Sequence, residues 1–172
     1  MVIWLVGLSG SGKTTLGREV KRQWSEKEPN TVLLDGDELR AFLQHDRTAD
    51  AYTVAGRRLN ADRAAALCEM LDRQGINVVC CMLAIFPDIL ALNRTRFRKY
   101  FEVFMDAPLE ELQRRDVKGL YAAARAGRSA NVVGIDIPFP RPVCPDMVID
   151  SSGECTDIAV LATRVLATAG AL

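Results

Sequence analysis

Gly7-Leu8-Ser9-Gly10-Ser11-Gly12-Lys13-Thr14 fills every fixed position of the pattern G-x-x-x-x-G-K-[ST]. The apolar run Val2-Ile3-Trp4-Leu5-Val6 precedes it, and Thr15 to Trp24 after it reads as a helix. Strand, glycine-rich loop and helix in that order give the pattern its physical meaning. Glycines let consecutive backbone N–H groups converge on one anion, and the helix N-terminus adds partial positive charge. Lys13 has the reach for β- and γ-phosphates, and the Thr14 hydroxyl suits a bridging Mg²⁺. A plain glycine-rich turn is the alternative; the complete spacing and both flanks speak against it. Residues 7–15 therefore read as the phosphate site of a nucleoside triphosphate, ATP being the expectation developed below.

Beyond this loop, strand-like and helix-like stretches alternate. Thr31-Val32-Leu33-Leu34, Ile76 to Leu83, Phe101 to Met105 and Met147-Val148-Ile149 join the first run to make five strands. Ile76 to Leu83 is continuously apolar and rich in β-branched residues, as in a strand covered on both faces. Helices are expected at 38–44, about 57–74, 88–99, 108–115 and 156–168, the second stopping at Gly75. This alternation predicts an α/β fold: a parallel five-stranded sheet with helices on both faces, in a single domain spanning 1–172. Ligands of such sheets sit beyond the carboxyl ends of the strands. The stretch from Ile137 to Pro145 reads as an ordered loop.

Charge balance narrows the partners. Twenty-two basic and twenty-two acidic residues cancel, so nothing points to nucleic acid or a membrane. Cys68, Cys80, Cys81, Cys144 and Cys155 contain no C-x-x-C pair, and their odd number and buried-looking positions suit free thiols in a reducing compartment. No basic leader precedes the first strand, and the apolar run near Ile76 to Phe86 is too short to span a bilayer. A cytoplasmic protein is expected. His45, the single histidine, is expected at the surface.

Asp35-Gly36-Asp37 ends the second strand, close to where the first delivers Gly7 to Thr14. Two carboxylates there suit holding Mg²⁺, taking a proton from a hydroxyl nucleophile, or both. Arg40, one helical turn on, would point into the same cleft and grip a phosphate or sulfate. No Asn is followed by Lys, so the N-K-x-D that reads guanine is absent, which favours ATP. A short chain with this acidic pair suits a small phosphotransferase better than a mechanical ATPase or a switch.

Further motifs follow in order: Leu34 to Arg40, Arg57 with Asn60, Phe101 to Glu110, Arg115-Asp116-Val117-Lys118-Gly119-Leu120-Tyr121, Ala124 to Gly127, Gly134 to Phe139 and Pro145 to Asp150. Together they resemble the adenylylsulfate (APS) kinase family over nearly the whole chain. K-G-L-Y followed by A-R-A-G is the family-specific part. The resemblance implies a P-loop NTPase-type fold with a short lid, and transfer of the ATP γ-phosphoryl, with Mg²⁺, to the ribose 3′-hydroxyl of a nucleotide with a mixed-anhydride tail. It implies that Arg40, Arg57 and Asn60 hold the 5′ anionic group, and that Lys118, Gly119 and Leu120 form the lid and acceptor-side contacts. Phe139 and Tyr52 would stack on the two faces of the base. Asp37 would orient and deprotonate the hydroxyl beside Lys13, Asp35 would support it or join Thr14 at the metal, and Arg115 would belong to the ATP side. The family's common homodimer is a further expectation.

The chain departs from the family pattern after the third strand. Where F-[IV]-S-P-[FY]-R is usual, it has Met82-Leu83-Ala84-Ile85-Phe86-Pro87-Asp88. Ala84 removes a phosphorylatable serine, and an arginine near the cleft is lost. Gly56 and Asp62 stand in the helix start, and Ala122-Ala123 follow K-G-L-Y. The I-F-P segment is similar to a branch resembling cytidine diphosphoramidate kinase, a 3′-hydroxyl kinase associated with capsular polysaccharide. Three readings stay open: adenylylsulfate kinase of sulfate activation, 3′-kinase of another nucleotide anhydride, and a non-catalytic nucleotide-binding module.

Overall fold

The computed structural model describes residues 1–116, 118–153 and 157–171. In chain order its elements are β1 (Val2–Val6), α1 (Lys13–Lys27), β2 (Thr31–Asp35), α2 (Gly36–Phe42), α3 (Val54–Arg73), β3 (Asn77–Met82), α4 (Pro87–Arg96), β4 (Tyr100–Asp106), α5 (Leu109–Arg115), α6 (Leu120–Arg125), β5 (Met147–Asp150) and α7 (Ile158–Ala169). All strand pairs are parallel, in the order β2-β3-β1-β4-β5. β1 is central, with Ile3 opposite Val79 on one side and Phe101 on the other. The chain crosses β1 between β3 and β4, and this reversal of direction opens a crevice at the carboxyl end of β1. That end carries Gly7.

Side-chain alternation divides the core in two. Val2, Trp4 and Val6 of β1 and Val78, Cys80 and Met82 of β3 face α3 and α4, where Ala61, Ala64, Ala65 and Leu90 meet them. Ile3, Leu5, Val79 and Cys81 face the other way, against Leu16, Val20 and Trp24 of α1 and Val165 and Leu166 of α7. Period-2 alternation on a sheet covered on both faces makes every position of β1 apolar. A third cluster, with Leu8, Ile85, Leu112, Tyr121, Val132 and Val133, lies above the strand ends and joins the glycine-rich loop to α5 and α6.

Fold class and strand number match expectation; several local readings do not. α1 starts at Lys13, α2 covers 36–42, and α3 starts at Val54, where the Thr53 hydroxyl accepts from the Gly56 N–H at 3.1 Å. Six-residue α6 was not anticipated as an element of its own. The first residue of the expected 156–168 helix lies outside the described residues, as does Cys155. Cys68, Cys80 and Cys81 are buried free thiols, but Cys144 is exposed, against expectation. His45 is a correction too: it is buried in a 3₁₀ turn (His45–Arg47). Its Nε2 lies 3.3 Å from the Gly56 carbonyl and its Nδ1 3.2 Å from the Thr48 hydroxyl, so it packs the 45–56 connection beneath α3. No helix among the described residues is long and apolar enough to cross a membrane.

Candidate active site

The crevice above β1 is a cleft of about 510 Å³. Its floor is the glycine-rich loop. Gly12 caps α1 with φ 89°, a left-handed conformation that glycine adopts without steric cost. A Cβ on Gly7 would meet the Met105 carbonyl and the Ser11 hydroxyl at 2.7 Å, so β4 leaves room there for backbone alone. Ser9, Gly10, Gly12, Lys13, Thr14 and Thr15 line the cleft. Leu8 and Ser11 are buried beneath it, and with Gly7 they shape the loop from behind. Lys13 Nζ donates to the Leu8 carbonyl at 2.7 Å and lies 3.5 Å from the Ser11 hydroxyl. Burial lowers its pKa to about 8, with Cys81, Asp37 and Asp35 opposing the shift.

Asp35 closes β2 and begins α2. Its Oδ1 accepts from the N–H groups of Asp37 (2.9 Å) and Glu38 (3.4 Å), capping that helix, while Oδ2 accepts from Thr14 Oγ1 at 2.6 Å. One carboxylate thus fixes α2 against the start of α1. Thr14 Oγ1 and Asp35 Oδ2 are adjacent hard oxygen donors at the edge of the phosphate cradle, a donor set that fits Mg²⁺ completed by waters and phosphate oxygens. Among the described residues there is no cluster of three or more side chains able to hold a metal alone, so the phosphates are an essential part of that fit.

Asp37, in the first turn of α2, stands between two cations. Arg40 Nη1 donates to Oδ1 and Lys118 Nζ to Oδ2, both at 3.0 Å. Burial pushes the carboxyl pKa up, but the Lys118 hydrogen bond and charge and the Arg40 charge outweigh this and hold it below the usual value. The Lys118 pKa is raised, first by its hydrogen bond to Asp37. Arg40 is 6% exposed, its guanidinium lies 4.8 Å from the Tyr52 ring centroid, and its buried Nε lacks a partner. Arg57 lies 5.6 Å from the same ring and donates to the carbonyls of Tyr52 (2.9 Å) and Asn131 (2.8 Å). Fully buried Asn60, behind the cleft, donates to the Gly36 carbonyl at 3.2 Å, and its Oδ1 has no partner. Unsatisfied buried atoms on Arg40 and Asn60 are costly unless a ligand meets them.

Tyr52, Arg57, Asn60, Arg115, Lys118 and Leu120 all line this cleft with Asp35, Asp37 and Arg40. Gly119 is the left-handed residue before α6, with φ 64°. Arg115 hydrogen-bonds Glu111 and the carbonyls of Ser151, Ser152 and Gly153, so its edge braces the chain after β5 and only its planar face is free. Phe139 is elsewhere. It packs on Phe104, with centroids 6.1 Å apart, and lines an adjoining cavity of about 640 Å³. Of the two aromatics expected to stack on the base, Tyr52 lines this cleft, beside aliphatic Met82, Leu83, Leu120 and Val133, while Phe139 packs against the clusters that contain Met82 and Val133. Met82 and Leu83 belong to the divergent segment singled out in the sequence, whereas Val133 as a cleft wall was missed. Tyr121 was visible within K-G-L-Y but carried no assigned role. In the divergent segment only Met82 and Leu83 reach the cleft; Ala84 and Ile85 are buried, and Phe86 lies under the Arg58 guanidinium at 5.4 Å.

Comparison with known proteins agrees with this geometry. The adenylylsulphate kinase family model matches residues 1–150. Cytidine diphosphoramidate kinase of Campylobacter jejuni is 40% identical over 151 residues, covering 88% of this chain and 86% of its own. Adenylyl-sulfate kinase of Pseudomonas aeruginosa is 38% identical over 161 residues, covering 92% and 81%. The structure of Mycobacterium tuberculosis APS kinase in complex with AMPPNP and APS superposes with a TM-score of 0.85 at 35% identity, covering 97% of this chain and 95% of that one. The family match over most of the chain, with these two relatives and this fold, shows that the chain belongs to the adenylylsulphate kinase family of phosphotransferases.

Proposed function

We propose that this protein transfers the ATP γ-phosphoryl group to the 3′-hydroxyl of a nucleotide bearing a 5′ mixed-anhydride tail, with adenylylsulfate as acceptor. The observation that carries the reading is the single cleft in which Lys13 and Thr14 face Asp35 and Asp37, with Arg40, Arg57 and Asn60 behind them. Residues 7–15 bind the triphosphate, and the free face of Arg115 suits stacking on the ATP base. Arg40 and Arg57 suit a tetrahedral anion. Tyr52 supplies a stacking surface for the acceptor base.

The chemistry follows from charge placement. The acceptor hydroxyl takes the place of the Lys118 ammonium at Asp37 Oδ2. Asp37 orients it in line with the γ-phosphorus. The new O3′–P bond forms as the bond to the β–γ bridging oxygen breaks, ADP leaves, and the hydroxyl proton passes to Asp37 and then to solvent. Once Lys118 has moved off, Asp37 loses the counter-charge that depresses its pKa and becomes a better base. Lys13 stays near the migrating group as a neutralising charge. Thr14 and Asp35 are the residues that would hold Mg²⁺, directly or through water, and the bound ion neutralises charge on the phosphate oxygens.

A second reading, with cytidine diphosphoramidate as acceptor, is favoured by one observation. Met82 and Leu83, at the head of the divergent segment, line the cleft, and the family's arginine after them is missing. ADP release in ATP and Mg²⁺, followed separately with adenylylsulfate and with cytidine diphosphoramidate, decides between them. The first reading expects the larger kcat/KM with adenylylsulfate, and a preference for the cytidine compound establishes the second. Release stimulated by neither contradicts both and leaves a nucleotide-binding module. A homodimer belongs to the same reading and is checked by sedimentation.

A further inference from the structure

The third core cluster contains a phenol that the chemistry above does not use. Tyr121, at the start of α6, is 2% exposed, and its hydroxyl donates to the Ser9 carbonyl of the phosphate loop at 2.9 Å. Burial and the nearby Asp116 carboxylate raise its pKa to about 12, so the hydroxyl keeps its proton and remains a donor at neutral pH. Its backbone is equally constrained. The Asp116 carboxylate accepts from the N–H groups of Tyr121 (3.1 Å) and Ala122 (2.8 Å), and the Gly119 N–H donates to the Asp116 carbonyl at 2.8 Å. These bonds enclose the turn that carries Lys118, whose ammonium sits on Asp37.

We infer that Tyr121 is a positioning residue that couples the phosphate loop to the acceptor-side turn, an inference that rests on the kinase reading of the cleft. The Ser9–Gly10 peptide is planar and trans, so its C=O and the Gly10 N–H point in opposite directions. By holding the carbonyl on the α6 side, the phenol turns the Gly10 N–H to the other side of the loop. Gly10 lines the cleft with φ 80°, and glycine tolerates either sign of φ, so its own backbone preference does little to fix this plane. Phosphate bound on that loop is thereby felt at α6, and the placement of Lys118 depends on the same bond.

Tyr121→Phe keeps the buried ring and removes only the hydroxyl. Calorimetry with AMPPNP and Mg²⁺, without any acceptor, should show affinity weakened about three- to tenfold, the scale of one lost buried hydrogen bond. Trypsin cleavage after exposed Arg125 and Arg128, at the end of α6, reads the coupling itself. Saturating AMPPNP should slow that cleavage in the wild type and leave it nearly unchanged in Tyr121→Phe. A purely structural role would speed cleavage equally with and without nucleotide, and that result overturns the inference. So does AMPPNP affinity within twofold of wild type, or a wild-type cleavage rate indifferent to AMPPNP. Failure of the wild type to bind AMPPNP at all is a separate result: it overturns the kinase reading, and this inference with it.

Discussion

Lys13 has an unusual electrostatic position. Its ammonium leans back on the loop's own Leu8 carbonyl, and burial brings its pKa to about 8. Triphosphate binding supplies negative charge and favours the protonated form. Below about pH 8 the cation is already present and binding needs no proton. Above it, each binding event must take one up, so affinity falls by up to about tenfold per pH unit until the pKa of the complex is reached. AMPPNP calorimetry from pH 7 to 9.5, in buffers of different ionisation enthalpy, should show this decline with proton uptake; a flat profile would place the pKa well above 8. Asp37 makes a second test. Asp37→Asn keeps the shape but removes the proton acceptor and the counter-charge of Lys118, and kcat should fall about 100-fold or more. Undiminished turnover would remove Asp37 from the mechanism.

At the scale of elements, the site is an encounter of strand ends. Asp35 is at once the last residue of β2, the cap of α2 and the partner of Thr14. Asp35→Ala should cost about 1 kcal/mol of stability through the lost cap, read from urea unfolding, and should also abolish most turnover. Asp35→Asn retains a capping oxygen, so it should recover stability but not activity; recovery of both would confine Asp35 to a structural role. This junction was legible in the sequence because each part is local: a spaced glycine loop, an apolar run, and acidic residues where the run stops. His45 and Phe139 were not legible for the opposite reason. The burial of His45 depends on the Gly56 carbonyl eleven residues away. The place of Phe139 depends on the path of the 134–141 loop over Phe104. α6 escaped notice because a six-residue helix shows too little periodicity, and its cap is the Asp116 side chain reaching from beyond Gly119.

Across the whole molecule, the two halves of the sheet are tied at the end opposite the cleft. Buried Asp72, near the end of α3, accepts from the Arg98 backbone N–H at 3.0 Å and pairs with its guanidinium, just before β4. Burial raises the Asp72 pKa, but the Arg98 backbone hydrogen bond and its other partners outweigh this and lower it overall. A carboxyl whose folded pKa is depressed stabilises the fold above its unfolded value of about 3.9, and that contribution is lost as pH falls through the folded pKa. Asp72→Asn should cost about 2 kcal/mol at pH 7, and the deficit relative to wild type should shrink below about pH 4 in urea unfolding. A deficit independent of pH would mean that packing, not charge, holds this tie. Its distance from the cleft predicts unchanged KM values in the variant.

The sheet, its loop and the acidic pair converge on one claim, phosphorylation of a ribose 3′-hydroxyl. Incubation with γ-³²P-ATP and whichever acceptor stimulates ADP release, followed by periodate, tests it most directly, because periodate cleaves only a free 2′,3′-diol. The account predicts a labelled nucleotide whose ribose resists periodate. Label on a nucleotide still cleaved by periodate, or label recovered only as inorganic phosphate, would contradict it.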